Sequence, residues 1–152
     1  MAPRRMHRLD TLARLRKQEE DVHVRELGAV RREIAAAERQ RDSIGEMQRS
    51  MLEDAARRTR EQFNAEEMQR FYQFERHLAG LATDADAAIQ EMRTVEAERL
   101  DDLKAANRRK RTMERLSENA VLTENTERDR AERKLIDEVA VNRNAVERRT
   151  EP

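Results

Sequence analysis

Phe71-Tyr-Gln-Phe74-Glu-Arg-His-Leu78-Ala-Gly-Leu81-Ala-Thr-Asp-Ala85-Asp-Ala-Ala88-Ile-Gln-Glu-Met92-Arg-Thr-Val95 returns an apolar side chain at alternating steps of three and four. The mean period is about 3.5 residues, that of a helix with one apolar seam against a partner helix. The aromatic residues gather at its start: all three Phe and the only Tyr lie between Phe63 and Phe74. Just ahead, Asn64-Ala-Glu-Glu67 places Glu three positions after an N-cap residue, a capping box with Asn in place of Ser or Thr. A helix therefore starts near residue 65. The rest of the chain reads as what this helix packs against or what extends beyond it.

Upstream, Leu27, Val30, Ile34, Ala37, Arg41 and Ile44 keep the same alternation. Leu9, Leu12 and Leu15 precede it, and Met47, Met51, Leu52 and Ala55 carry it to about residue 58. Gly28 and Gly45 each cost this helix about 1 kcal/mol relative to Ala. The spacing runs through both, so they are tolerated inside it. Residues 59–64 hold the reversal, since Thr59 and Asn64 suit a turn and the capping signal restarts a helix. A competing turn at Gly80, with Thr83 or Asp84 capping the next helix, would give arms of nearly equal length. The unbroken register from Phe71 to Val95 opposes it.

Downstream, Leu100, Leu103, Met113 and Leu116 continue the second helix. The pattern thins at Glu118-Asn119 and Thr123-Glu-Asn-Thr126, and Leu135, Ile136, Val139, Val141 and Val146 restore a stripe. The expected fold is all-α, a long two-helix antiparallel coiled-coil hairpin with unequal arms. It forms a single coiled-coil domain over residues 1–152, with a first helix over about 6–58, a turn over about 59–64 and a second helix over about 65–148. At 1.5 Å per residue the paired part is on the order of 80 Å long, and about 20 to 25 residues of the second helix overhang it.

Composition agrees. Charged residues make up 42% of the chain, Trp is absent and Gly plus Pro total five, which suits long helices rather than a globular core. High charge also marks disorder, but Pro is confined to Pro3 and Pro152 and the apolar spacing persists between them. Lys plus Arg and Asp plus Glu balance at 32 each, so no global field draws in nucleic acid or anionic lipid. The absence of Cys fits a cytoplasmic location. The longest apolar runs, such as Ile34-Ala-Ala-Ala37, fall far short of the roughly 20 residues of a membrane span. The Arg-rich start lacks the apolar stretch of a signal peptide. The expectation is a soluble protein.

Chemistry is hard to place on such a chain. His7, His23 and His77 have no helical ligand spacing to one another, and Glu20-Asp-Val-His23 is a single copy of a motif that di-iron bundles need twice. Carboxylates on a two-helix hairpin face water, where nothing shifts their pKa. There is no Gly-rich phosphate loop and no means of building a pocket that excludes water. The reading is of a non-enzyme with no cofactor and no metal. Lys104 to Arg115 holds six basic residues and one Glu. Its alternative reading is a DNA-contacting helix, with Asn107 and Arg115 spaced as in zipper basic regions. Leu122, Asp129, Ile136 and Arg143 at the following heptad steps make no zipper. A third reading is a plain structural coiled coil or homo-oligomer.

A basic start leads into Arg8-Leu9-Asp-Thr-Leu12-Ala-Arg-Leu15-Arg-Lys17-Gln-Glu19-Glu20. The aromatic segment from Phe71 to Leu81 opens the second helix, and Glu132-Arg-Lys-Leu-Ile-Asp137-Glu138-Val-Ala-Val-Asn-Arg143 closes it. This layout resembles the flagellar export protein FliJ family, with the YscO-like stalk proteins of type III secretion close to it. The resemblance implies a hairpin similar to the central stalk of rotary ATP synthases. It implies a free-ended tip that enters the hexameric export ATPase and promotes its assembly and activity. It further implies contact with the FlhA-type export gate and escort of export chaperones. The protein would be cytoplasmic, peripheral to the inner membrane, and an elongated monomer when alone.

In the family a Phe, a Leu four later and a small apolar residue three later face the gate; here those positions are Phe74, Leu78 and Leu81. The polar position that follows is Ala85 here, a departure from the pattern. Seam spacing offers the same three residues a second role as core. The ATPase-ring tip candidates are Leu9, Leu12, Leu15, Leu135, Ile136 and Val139, flanked by Arg4, Arg5, Arg8, Arg143, Arg148 and Arg149. Ordinary end-packing of the hairpin competes for the same apolar six.

Overall fold

The structure is a computed structural model that describes residues 2–58 and 62–150, with side chains for 8–58 and 62–144. It has two elements, α1 (Ala2–Arg57) and α2 (Ala65–Thr150), packed against each other in an antiparallel hairpin. Of the expected turn, residues 59–61 lie outside the described residues. The start of α2 follows from its capping box. Asn64 Oδ1 accepts a hydrogen bond from the Glu67 backbone N–H at 2.8 Å, and the Asn64 N–H donates to Glu67 Oε2 at 3.3 Å. Phe63, just before the cap, meets Phe71 edge-on at 6.4 Å and carries the Arg58 guanidinium over its ring at 5.4 Å. The entry into α2 is thus closed by an aromatic contact beside the cap, between the residue before Asn64 and one two turns into the helix. At Gly80 the helix runs straight on, and no glycine has a positive φ.

Packing divides the described hairpin into two compact units, one of residues 21–104 and one of residues 1–20 with 105–152. In the first, Leu27, Ile34 and Ile44 of α1 are buried, with Val30, Ala37, Arg41 and Met51 half-buried between and after them. These are the α1 positions that the three-four spacing names. On α2 the buried residues are Leu78, Ala82 and Ile89, and the half-buried ones include Phe71, Glu75, Ala85, Met92 and Glu96. Ile44, Leu78 and Ala82 form the central cluster, with Met51 and Ala85 against it.

The expected α2 seam is therefore right in one column and displaced in the other. Phe71, Leu78, Ala85 and Met92 face α1, but Phe74, Leu81, Ala88 and Val95 are exposed and Glu75, Ala82, Ile89 and Glu96 take their place. The apolar stripe of α2 is three columns wide, and a partner helix covers two. Ala82, 6% exposed, meets α1 with only a methyl group, beside Ile44. Along the same side Arg31 Nε reaches Glu96 Oε1, Arg41 Nε reaches Asp86 Oδ1 and Arg93 reaches Glu38 Oε1, each at 2.7 Å. Such exposed pairs add only a few tenths of a kcal/mol each. Turning α2 by half a residue step toward Phe74 would break all three, so together they bias its rotation.

In the second unit α1 presents Leu9, Ala13, Arg16 and Glu20 to Ala106, Lys110, Met113 and Ser117 of α2. Ala106 is fully buried, and Ser117 Oγ donates to Asp10 Oδ1 at 3.3 Å. With residue 10 level with residue 117, the first residues of α1 end near residue 125 of α2. Every described side chain from Asn125 to Asn144 is exposed. The arms are unequal, and the surplus of α2 is a single helix.

Candidate functional site

The three expected gate-contact residues separate by environment. Leu78 is 2% exposed at the centre of the core cluster, whereas Phe74 is 49% and Leu81 40% exposed. A shallow, open groove runs beside Phe74, walled on α1 by Ser43, Met47, Ser50, Met51 and Asp54. Met47 and Leu52, both expected on the α1 seam, are about half exposed. Phe74 and Leu81 thus stand on one face of the hairpin, with Leu78 beneath them as support.

The six tip candidates do not converge. Leu9, Leu12 and Leu15 lie along the paired part of the second unit, Leu9 half-buried and the other two exposed. Leu135, Ile136 and Val139 lie on the unpaired part of α2, each more than 60% exposed. Leu135 stands 18 positions beyond Ser117, the level of Asp10, which is about 27 Å along a helix. The side chains of Arg4, Arg5, Arg148 and Arg149 lie outside the described residues.

The basic segment is partly committed within the fold. Lys104 pairs with Asp101, Arg109 Nη2 with Glu19 Oε1 at 2.9 Å and Lys110 Nζ with Glu20 Oε2 at 2.6 Å. Asn107 Nδ2 donates to the other oxygen of Glu20. This makes a polar layer inside the seam of the second unit, with Glu20 and Lys110 at positions otherwise apolar. The spacing could have revealed it. Leu103, Ala106, Lys110 and Met113 continue the three-four steps, and Lys110 is the one cation among them. Hydrogen bonds from Lys110 and Asn107 hold the Glu20 carboxyl below its ordinary pKa, against the opposing effect of burial. The same bond holds the Lys110 ammonium above its ordinary value. Glu19 is lowered mainly by its hydrogen bond from Arg16.

A carboxylate with a depressed folded pKa contributes stability that is complete above its unfolded pKa, about 4.3, and lost as pH falls through the folded value. Lys110 contributes below its unfolded pKa of about 10.4 and loses that contribution as pH rises through its folded one. The layer is thus at full strength across the neutral range. Thermal melts followed by circular dichroism at pH 6 and pH 3 are expected to show a fall in wild-type Tm, and a smaller fall for Glu20→Gln. Equal falls would assign the acid sensitivity to other carboxylates.

The His23 imidazole is half-buried, its Nδ1 is 3.4 Å from Glu26 Oε2, and that nitrogen makes no hydrogen bond. Glu20 is taken up by Lys110 and Asn107 rather than offered to a metal, and among the described residues no three His, Asp or Glu converge as a ligand set. Among them, too, no helix is long and apolar enough to cross a membrane.

A family model described as "Flagellar FliJ protein" matches residues 6–149, nearly the whole chain. No curated protein and no solved structure matches the chain.

Proposed function

We propose the following role for this chain, which belongs to the FliJ family of flagellar proteins and is a component of the flagellar export apparatus. It is a stalk rather than a catalyst. The unpaired part of its second helix enters the pore of the hexameric export ATPase and promotes the ring's assembly and activity. Phe74 and Leu81 contact an FlhA-type export gate, and the chain escorts export chaperones. It works in the cytoplasm, held at the inner membrane through these partners. The observation that carries the reading is the family match over a two-helix hairpin whose second helix runs on alone past the first. Half-exposed Phe74 and Leu81 support the gate contact, because large apolar side chains on so polar a surface are natural anchors for a partner. Leu78 serves that contact from beneath.

The test is a binding titration with the soluble domain of the gate. Phe74→Ala with Leu81→Ala is expected to weaken binding by about tenfold, with helicity near that of the wild type. Undiminished binding at native helicity would remove the gate contact from this face.

A further inference from the structure

The two flanks of the 21–104 seam are built differently. One is closed by the ion pairs Arg31–Glu96, Arg41–Asp86 and Arg93–Glu38. On the other, α1 lines up Glu33, Gln40, Met47 and Asp54 at steps of seven, and α2 lines up Phe74, Leu81, Ala88 and Val95. One column further out, α2 carries His77, Asp84, Glu91 and Glu98, while α1 carries Ala29, Ala36, Ser43 and Ser50. None of these four columns contains a Lys or Arg between residues 29 and 54 or between 74 and 98. Glu33, Asp54, Asp84, Glu91 and Glu98 are exposed, and none makes an ion pair with another described residue.

We propose that this flank of the 21–104 unit seats a third helix, an amphipathic helix of a partner protein whose apolar column is bordered by Lys or Arg. The spacing selects a helix. Phe74, Leu81, Ala88 and Val95 recur every two turns, about 10.5 Å apart, and an α-helix lying along α2 presents knobs at that interval. A strand, repeating every second residue, does not. The carboxylates select the sign. A basic border meets five unpartnered acids, and an acidic one would be repelled by all of them. Small side chains on the outer column of α1 leave room for a third backbone. The flank shares Phe74 and Leu81 with the gate contact and rests on that reading for which protein supplies the helix; the chemistry of the helix comes from the flank alone.

The test uses the full chain and a labelled synthetic peptide of about three heptads, with Leu at the first and fourth positions of each and Lys beside them. A second peptide carries Glu in place of Lys. The Lys peptide is expected to bind at least about tenfold more tightly than the Glu peptide, with an affinity that falls as salt rises. Val95→Asp and Leu81→Asp are each expected to weaken it about tenfold, while Leu52→Asp, exposed on the other flank, leaves it unchanged. Glu91→Lys with Glu98→Lys should erase the preference between peptides. Circular dichroism confirms that each variant stays helical. Equal affinity for the two peptides, no binding of either, or an equal loss from Leu52→Asp would overturn the proposal. The gate domain is titrated alongside. A Lys peptide that fails while Phe74→Ala with Leu81→Ala still weakens the gate overturns the helix chemistry alone. A Lys peptide that binds as expected while the gate ignores that double variant overturns the gate contact alone.

Discussion

Leu78→Ala is expected to destabilise the hairpin by about 2–3 kcal/mol, while Phe74→Ala and Leu81→Ala each stay within about 1 kcal/mol. The contrast follows from burial. Leu78 is 2% exposed and packs with Ile44 and Ala82, whereas Phe74 and Leu81 keep close to half their surface in water. The lower part of the usual range for a buried Leu applies because a gap between only two helices can partly close by their approach. The better helix propensity of Ala returns only about 0.2 kcal/mol. In a chain whose total stability is small, a loss of this size separates the variants clearly in a urea or thermal melt. Phe74→Ala destabilising more than Leu78→Ala would place the seam one column over, on Phe74, Leu81, Ala88 and Val95. The result also bears on the gate. A Leu78 variant that binds the gate poorly is expected to regain binding on cooling to a temperature where it is folded, because its side chain acts through the scaffold.

The reason the sequence leads to one α2 column and misplaces the other is visible in these residues. Spacing along one helix reports its apolar stripe but not which part a partner covers. Phe74, Leu81 and Val95 are bulkier and less polar than Glu75, Ala82 and Glu96, so pattern alone favours them. The outcome depends on the opposing helix, where Arg31 and Arg41 draw Glu96 and Asp86 toward α1, and on the small volume of Ala82. On α1 the stripe from Leu27 to Ile44 is only two columns wide, and there reading and structure coincide. The Asn64 capping box is legible for a related reason: both of its hydrogen bonds join residues three apart, so no distant partner is needed to predict them. The Glu20–Asn107–Lys110 layer joins residues 87 and 90 positions apart and carries no local signal beyond a cation in the register.

Leu135→Asp with Ile136→Asp is expected to abolish most of the stimulation of the export ATPase, with a loss of at least about fivefold if these side chains are ring anchors. Both are more than 60% exposed on the unpaired part of α2, so the hairpin does not need them. Melting and helicity should stay near wild type. The companion pair, Leu12→Asp with Leu15→Asp, probes a level roughly 30 to 35 Å away along α2, also on exposed positions. A stalk gripped along its length loses stimulation in both pairs. A stalk gripped only by its free arm loses it in the first pair and keeps it in the second. The measurement is steady-state ATP hydrolysis by the purified ATPase, titrated with each variant. Native helicity with full stimulation in both pairs would mean that neither apolar group enters the ring, and the insertion of this end would fall. The distance between the two groups is what makes the outcomes distinct, since a single contact with one layer of the ring cannot reach both.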